Sequence, residues 1–169
     1  MKPASASAVI VVTCLFLASS VATAQDFFPK RKSGLWEMSM GETGKAMSLC
    51  VDHSRDDAMK QLGMQMSQEM QCTRSNVKQA GGAFSFDQSC QMANMKWTSS
   101  IKVTGSFDSA YKVEMDTKYD PPMMGKAESK RVIDAKWVGS CKAGQRPGDM
   151  VMPGGMTMNV YDMLDSKKK

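Results

Sequence analysis

Methionine is the residue type in this chain whose abundance and spacing could do chemistry. The 169 residues include 18 of them, grouped as Met38-x-Met40, Met64-x-Met66, Met92-x-x-Met95, Met123-Met124, Met150-x-Met152 and Met156-x-Met158. Thioether sulfur is a soft ligand suited to Cu(I), and it survives in oxidising surroundings where a free thiol would not. Packing is the competing explanation. Methionine fills irregular gaps in cores, and a Met-x-Met pair in a strand shares a face simply because strands repeat every two residues. Packing accounts for Met38, Met47, Met95 and Met115, so no cofactor is expected from these. Met150, Met152, Met156 and Met158 have no evident core to fill, and they form the candidate set for Cu(I), the alternative to a cofactor-free protein.

The remaining reactive types narrow the chemistry further. His53 is the single histidine, between Asp52 and Ser54. Consecutive side chains diverge, whereas a catalytic triad needs partners brought together from separate parts of the chain. Ser54 reads better as a helix cap and His53 as its exposed neighbour. Glu37, Glu114, Asp116 and Asp134 fall on the polar phases of strands, and no two of them stand out as an acid and a base. Gly81-Gly82 and Gly154-Gly155 read as turns, not phosphate loops. No constellation supports an enzyme, and none is expected.

The N-terminus sets the compartment. Lys2, an apolar run from Ala8 to Ala18 and the small-x-small Ala22-Thr23-Ala24 are the three parts of a secretory signal peptide over residues 1–24. The run is too short for a permanent span, so no stable membrane anchor is expected after cleavage, and the location is periplasmic or secreted. Cys14 sits in this segment behind Thr13, not behind the small residue a lipoprotein site would need. The mature chain keeps Cys50, Cys72, Cys90 and Cys141, an even number that implies two disulfides. No two of these are close enough in sequence for a zinc motif. Lysine and arginine total 22 against 17 acids. The excess is spread along the chain, and with no basic stripe interleaved with aromatics, nucleic acid is not an expected partner. Lys167-Lys168-Lys169 reads as a solvated end.

These residues must be positioned by strands. Trp36, Met38 and Met40 alternate on one face, Met47, Leu49 and Val51 return on the same face, and Gly41-Glu42-Thr43-Gly44 supplies the turn. This register sets Met38 opposite Met47 and Trp36 opposite Leu49. A helix follows from Ser54, with Met59, Leu62, Met66 and Met70 as an apolar stripe and Gly63 as a weak point. Residues 72–80 and 83–91 flank Gly81-Gly82 as a tight hairpin. Further strands run over 95–104, 110–119 and about 127–138, with Trp97, Ile101, Val103, Tyr111, Val113, Ile133 and Trp137 on buried phases. Pairing Ala80 with Ala83 places Val77 beside Phe86 and puts Cys72 and Cys90 on opposite faces, where they cannot bridge. The preferred pairing is therefore Cys50–Cys72 with Cys90–Cys141. The fold class is mainly β: a curled, barrel-like antiparallel meander of about seven strands, its closure left open, with one helix inserted after the second strand. The expected organisation is a lead-in over 25–32, a domain over 33–141 and a flexible, methionine-rich, lysine-ended tail over 142–169, with at best a short helix near Met156 to Leu164.

Ser33-Gly34-Leu35-Trp36-Glu37, then Cys50-Val51-Asp52 opening a short helix, then Cys72, Cys90 and Gly139-Ser140-Cys141, behind a signal peptide, resemble the DUF3617 family of exported bacterial proteins. The order and spacing of these short motifs carry the resemblance, which covers roughly residues 30–141. Val51-Asp52-His53-Ser54 departs from the Thr-Pro-Glu-like helix start of that pattern. The resemblance implies a periplasmic, cysteine-stapled β-rich domain and no activity. The reading that emerges is a non-enzymatic binding or structural module. Its partner would be a small apolar ligand or a protein, held between the helix and the face carrying Trp36, Trp97 and Trp137.

Overall fold

The computed structural model describes residues 28–41 and 46–166, apart from the side chains of Ala58, Met59 and Leu62. The expected signal peptide, the first lead-in residues, the expected turn over 42–45, the side chains of two members of the helix stripe and the terminal lysines lie outside the described residues. The chain forms β1 (Gly34–Met40), β2 (Ala46–Val51), a 3-10 turn (His53–Arg55) and α1 (Asp57–Glu69). It continues as β3 (Thr73–Ala80), β4 (Ala83–Met92), β5 (Met95–Ser106), β6 (Ala110–Met123) and β7 (Lys126–Gly139), then β8 (Asp149–Val151), β9 (Thr157–Asn159) and α2 (Val160–Ser166). Among the described residues, nine strands join one antiparallel sheet in the order β3-β4-β5-β6-β7-β1-β2-β8-β9. The sheet is open, with β3 and β9 at its edges, so the barrel-like closure does not form.

The alternation of apolar and polar residues sets the register. Trp36 pairs with Leu49 and Met38 with Met47, as the coincident apolar faces require. The inner face carries two clusters. Trp36, Leu49, Val51 and Ala135 pack with Val160, Tyr161 and Leu164. Phe84, Phe86, Ile101 and Val103 form the other, with Phe28 and Phe107 against them. Tyr111 touches both clusters.

Two expectations are corrected here. The first concerns the cysteines, which pair as Cys50–Cys141 and Cys72–Cys90. The tight hairpin does pair Ala80 with Ala83, but the register shifts between Ser75 and Lys78, beyond which Thr73 lies opposite Ser89. One extra residue on β3 absorbs this bulge: Asn76 takes a left-handed φ of 52°, and its side-chain amide donates to Asp87 at 2.7 Å. A slip of one residue moves every later side chain to the other face. It brings Cys72 onto the face of Cys90, with Cα atoms 4.0 Å apart, and leaves Val77 exposed.

The second correction is that residues 142–166 are not a loose tail. β8 pairs with β2, Gly148 donates its backbone N–H to the Cys50 carbonyl at 2.8 Å, and α2 buries Val160, Tyr161 and Leu164 against Trp36 and Leu49. Apolar burial holds the segment down: each fully buried side chain of this size contributes about 1.5–3 kcal/mol.

Candidate functional site

α1 lies over the inner face of the sheet and is tied at both ends. At its start, Asp56 receives the Arg31 backbone N–H at 2.6 Å and the Arg31 guanidinium through Nη2 at 2.6 Å and Nε at 3.1 Å, all buried. Burial is the largest influence on Arg31 and disfavours its charge, but the hydrogen bonds it donates to Asp56, together with the Asp56 charge and the Tyr111 phenol, outweigh it, and the guanidinium pKa is raised. The pair pins the lead-in segment to the helix, and Lys32 N–H continues the tether to the Phe107 carbonyl at 2.9 Å. At the far end, Met70 accepts from the Gln91 backbone N–H at 3.1 Å, and the Cys72–Cys90 bridge follows two residues later.

Held at its ends, the helix leaves a groove beneath it of about 550 Å³. The sheet supplies Met38, Val103 and Tyr111 as its floor, with Phe107 from the turn between β5 and β6; Phe28 and Pro29 form one wall, and α1 contributes Gly63, Met64 and Met66, with Met70 at its C-cap. Phe107 stacks on Tyr111 at 4.6 Å between ring centres, and Tyr111 meets Trp36 at 5.5 Å, so the floor is a rigid aromatic row. Burial pushes the Tyr111 phenol above its ordinary pKa, with Arg31 opposing it. A methyl built on Gly63 meets open space, and Met64 and Met66 stay exposed at the mouth. Lys60 and Arg74 add positive charge to the lining; Lys60 pairs with Asp57, and Arg74 lies over the Phe86 ring.

A second depression of similar size carries hydroxyl and charged groups from β3 to β7. Many of these groups bond to one another: Ser100 donates to Asp87 at 2.7 Å, Ser99 and Thr117 share a hydrogen bond, and Lys130 pairs with Asp116. They bind the sheet to itself, which leaves the apolar groove as the better site for a ligand.

The residues singled out in the sequence distribute as follows. None of the three tryptophans lines the groove: Trp36 is fully buried, Trp97 lies opposite Cys90, and Trp137 lies under Lys32. The expected tryptophan face is therefore replaced by Phe28, Phe107 and Tyr111. His53 belongs to the 3-10 turn and bonds the Arg31 carbonyl through Nδ1 at 2.8 Å. Asp52, not Ser54, caps that turn, accepting from Ser54 N–H at 2.9 Å and its hydroxyl at 2.7 Å, and these bonds hold its pKa below the usual carboxylate value. Met150 and Met158 are cross-strand partners on β8 and β9. Among the described residues no group of three or more His, Cys, Asp or Glu side chains could hold a metal.

The Phe28 wall and the Arg31 tether carried little signal in sequence. Their one cue was the polar, aromatic lead-in before Gly34. That glycine is itself explained by the fold. It takes φ 128°, a Cβ there would strike the Gly139 carbonyl and Trp137 Nε1, and Trp137 Nε1 donates to the Ser33 carbonyl at 3.0 Å.

The fold and site define a disulfide-stapled, open antiparallel β domain with one helix roofing an apolar groove. The two bridges point to a non-cytoplasmic environment, and among the described residues no helix is long and apolar enough to cross a membrane. A family model described as "Protein of unknown function (DUF3617)" matches residues 31–141, about two thirds of the chain, and the protein belongs to that family. No curated protein and no solved structure matches it. The matched region runs from Arg31 of the buried ion pair to Cys141 of the bridge that closes the core.

Proposed function

We propose that the domain is an exported binding module, working in the periplasm or outside the cell, that takes a small apolar molecule in the groove under α1 without transforming it. The observation that carries this reading is the groove itself. Its volume of about 550 Å³ falls within the range of small-molecule sites, and its lining combines aromatic, methionine and valine side chains with a few polar groups. Asp56, the acid in that lining, has both carboxylate oxygens engaged by Arg31 and is not free to act as a base. Methionine suits such a surface because its unbranched side chain adapts to ligand shape.

The test uses the mature oxidised chain and the neutral fluorescent probe N-phenyl-1-naphthylamine. The expected result is saturable binding of one probe per chain. Gly63→Leu fills the groove from the helix side while strengthening the helix, and it should weaken binding at least about tenfold, equivalent to about 1.4 kcal/mol, with Tm retained. Absence of saturable binding to the folded protein overturns the reading. So does equal binding by the Gly63→Leu variant.

A further inference from the structure

The segment expected to be loose is a formed hairpin, and its register gathers the four candidate methionines. Met150 pairs with Met158. Two residues further out, beyond the Val151–Thr157 pair, the Met152 backbone N–H donates to the Met156 carbonyl at 2.8 Å, and Gly155 N–H donates to the Met152 carbonyl at 2.9 Å. Pro153 and Gly154 make the turn between these rungs; Gly154 takes φ 97°, as the third position of a type II turn requires. Successive side chains alternate across a strand, so Met150, Met152, Met156 and Met158 all project from one face as two rungs with the Val151–Thr157 pair between them.

Packing explains only part of this set. Met150 lies against the Trp36 and Leu49 cluster, and Met152 and Met158 are half-buried. Met156 is 62% exposed beside the turn, where it contributes little to a core. Asp149 belongs to the opposite face and is occupied by Asn159 and Arg146, so no carboxylate of β8 or β9 competes on the methionine side.

We propose that this face is a Cu(I) site, with Met152, Met156 and Met158 as its ligands and Met150 as the apolar backing that can add a fourth sulfur. Neutral thioethers favour a soft monovalent ion over Zn²⁺, Ca²⁺ or Mg²⁺. They release no proton on binding, so affinity is flat across the range where histidine or thiolate sites would strengthen. The oxidised domain keeps its four mature cysteines in bridges, which leaves the thioethers as the sulfur ligands on offer. The site is separate from the groove and stands or falls independently of it.

The experiment is an anaerobic competition for Cu(I) between the oxidised mature chain and a chromophoric Cu(I) chelator. The wild type should withdraw one equivalent. Met152→Leu/Met156→Leu, which conserves volume and apolarity, should lose at least about 100-fold in affinity, or about 2.7 kcal/mol, with an unchanged Tm. Met64→Leu/Met66→Leu on α1 should bind like the wild type, and affinity should not vary between about pH 5 and 8. Failure of the wild type to withdraw Cu(I), equal binding by the hairpin variant, an equal loss in the α1 variant, or affinity that climbs with pH each overturns the proposal.

Discussion

At Gly34 a single hydrogen atom in place of a side chain lets the start of β1 lie close against the end of β7, its antiparallel partner. The backbone there has φ 128°, and a methyl would occupy the space of the Gly139 carbonyl and the Trp137 indole N–H. Gly34→Ala therefore meets both backbone strain and a collision with groups that cannot yield cheaply. The strain alone costs about 1–3 kcal/mol, and chemical denaturation of the variant should show a loss of at least that size. Asp149 works through charge. Hydrogen bonds from Asn159 and from the Arg146 backbone N–H hold its carboxylate below its ordinary pKa. Because the folded value lies below the unfolded one, near 3.9, its contribution is present above about pH 4 and is lost as the pH falls through the folded value. Thermal melts from pH 6 to about pH 3 should show Tm falling in the wild type, and falling less steeply in Asp149→Asn, which can still accept from Asn159.

At the level of elements, strands repeating every two residues were legible because one face is wet and the other dry. Trp36 opposite Leu49 followed from that pattern alone. The bulge at Asn76 was not, since one left-handed residue leaves the hydrophobic alternation nearly intact while reversing the face of everything beyond it. The available signal was local: asparagine tolerates positive φ better than its strand neighbours. β8 and β9 were missed, and α2 was anticipated only as a short helix near Met156 to Leu164, for another reason. Three-residue strands and a seven-residue helix carry too few periods to announce themselves. The groove was half legible, in that a helix over the sheet was expected, but its lining depends on the Arg31–Asp56 tether, which no periodicity encodes. What fixes α2 is tertiary burial: Leu164, 2% exposed, sits with Trp36 and Val160. Leu164→Ala should cost about 2–5 kcal/mol, measured by urea denaturation, which is more than a frayed terminal helix could lose.

Over the whole molecule, the two bridges divide the work of holding an open sheet. Cys50–Cys141 joins residues 91 apart and ties β2 to the end of β7, across the strand between them. Cys72–Cys90 joins residues 18 apart and fixes the edge hairpin beside the end of α1. Loop-closure entropy gives about 4.6 kcal/mol for the first and about 3 kcal/mol for the second. Cys50→Ser/Cys141→Ser should therefore lower global stability more than Cys72→Ser/Cys90→Ser, read as the shift in urea midpoint at constant slope. The second pair should act where the first does not. Freeing the end of α1 from β4 loosens the roof of the groove, so N-phenyl-1-naphthylamine should bind more weakly to Cys72→Ser/Cys90→Ser even where the protein remains fully folded. A larger stability loss from the short-range bridge than from the long-range one would place the resistance to unfolding in the edge hairpin instead of in the Trp36 core.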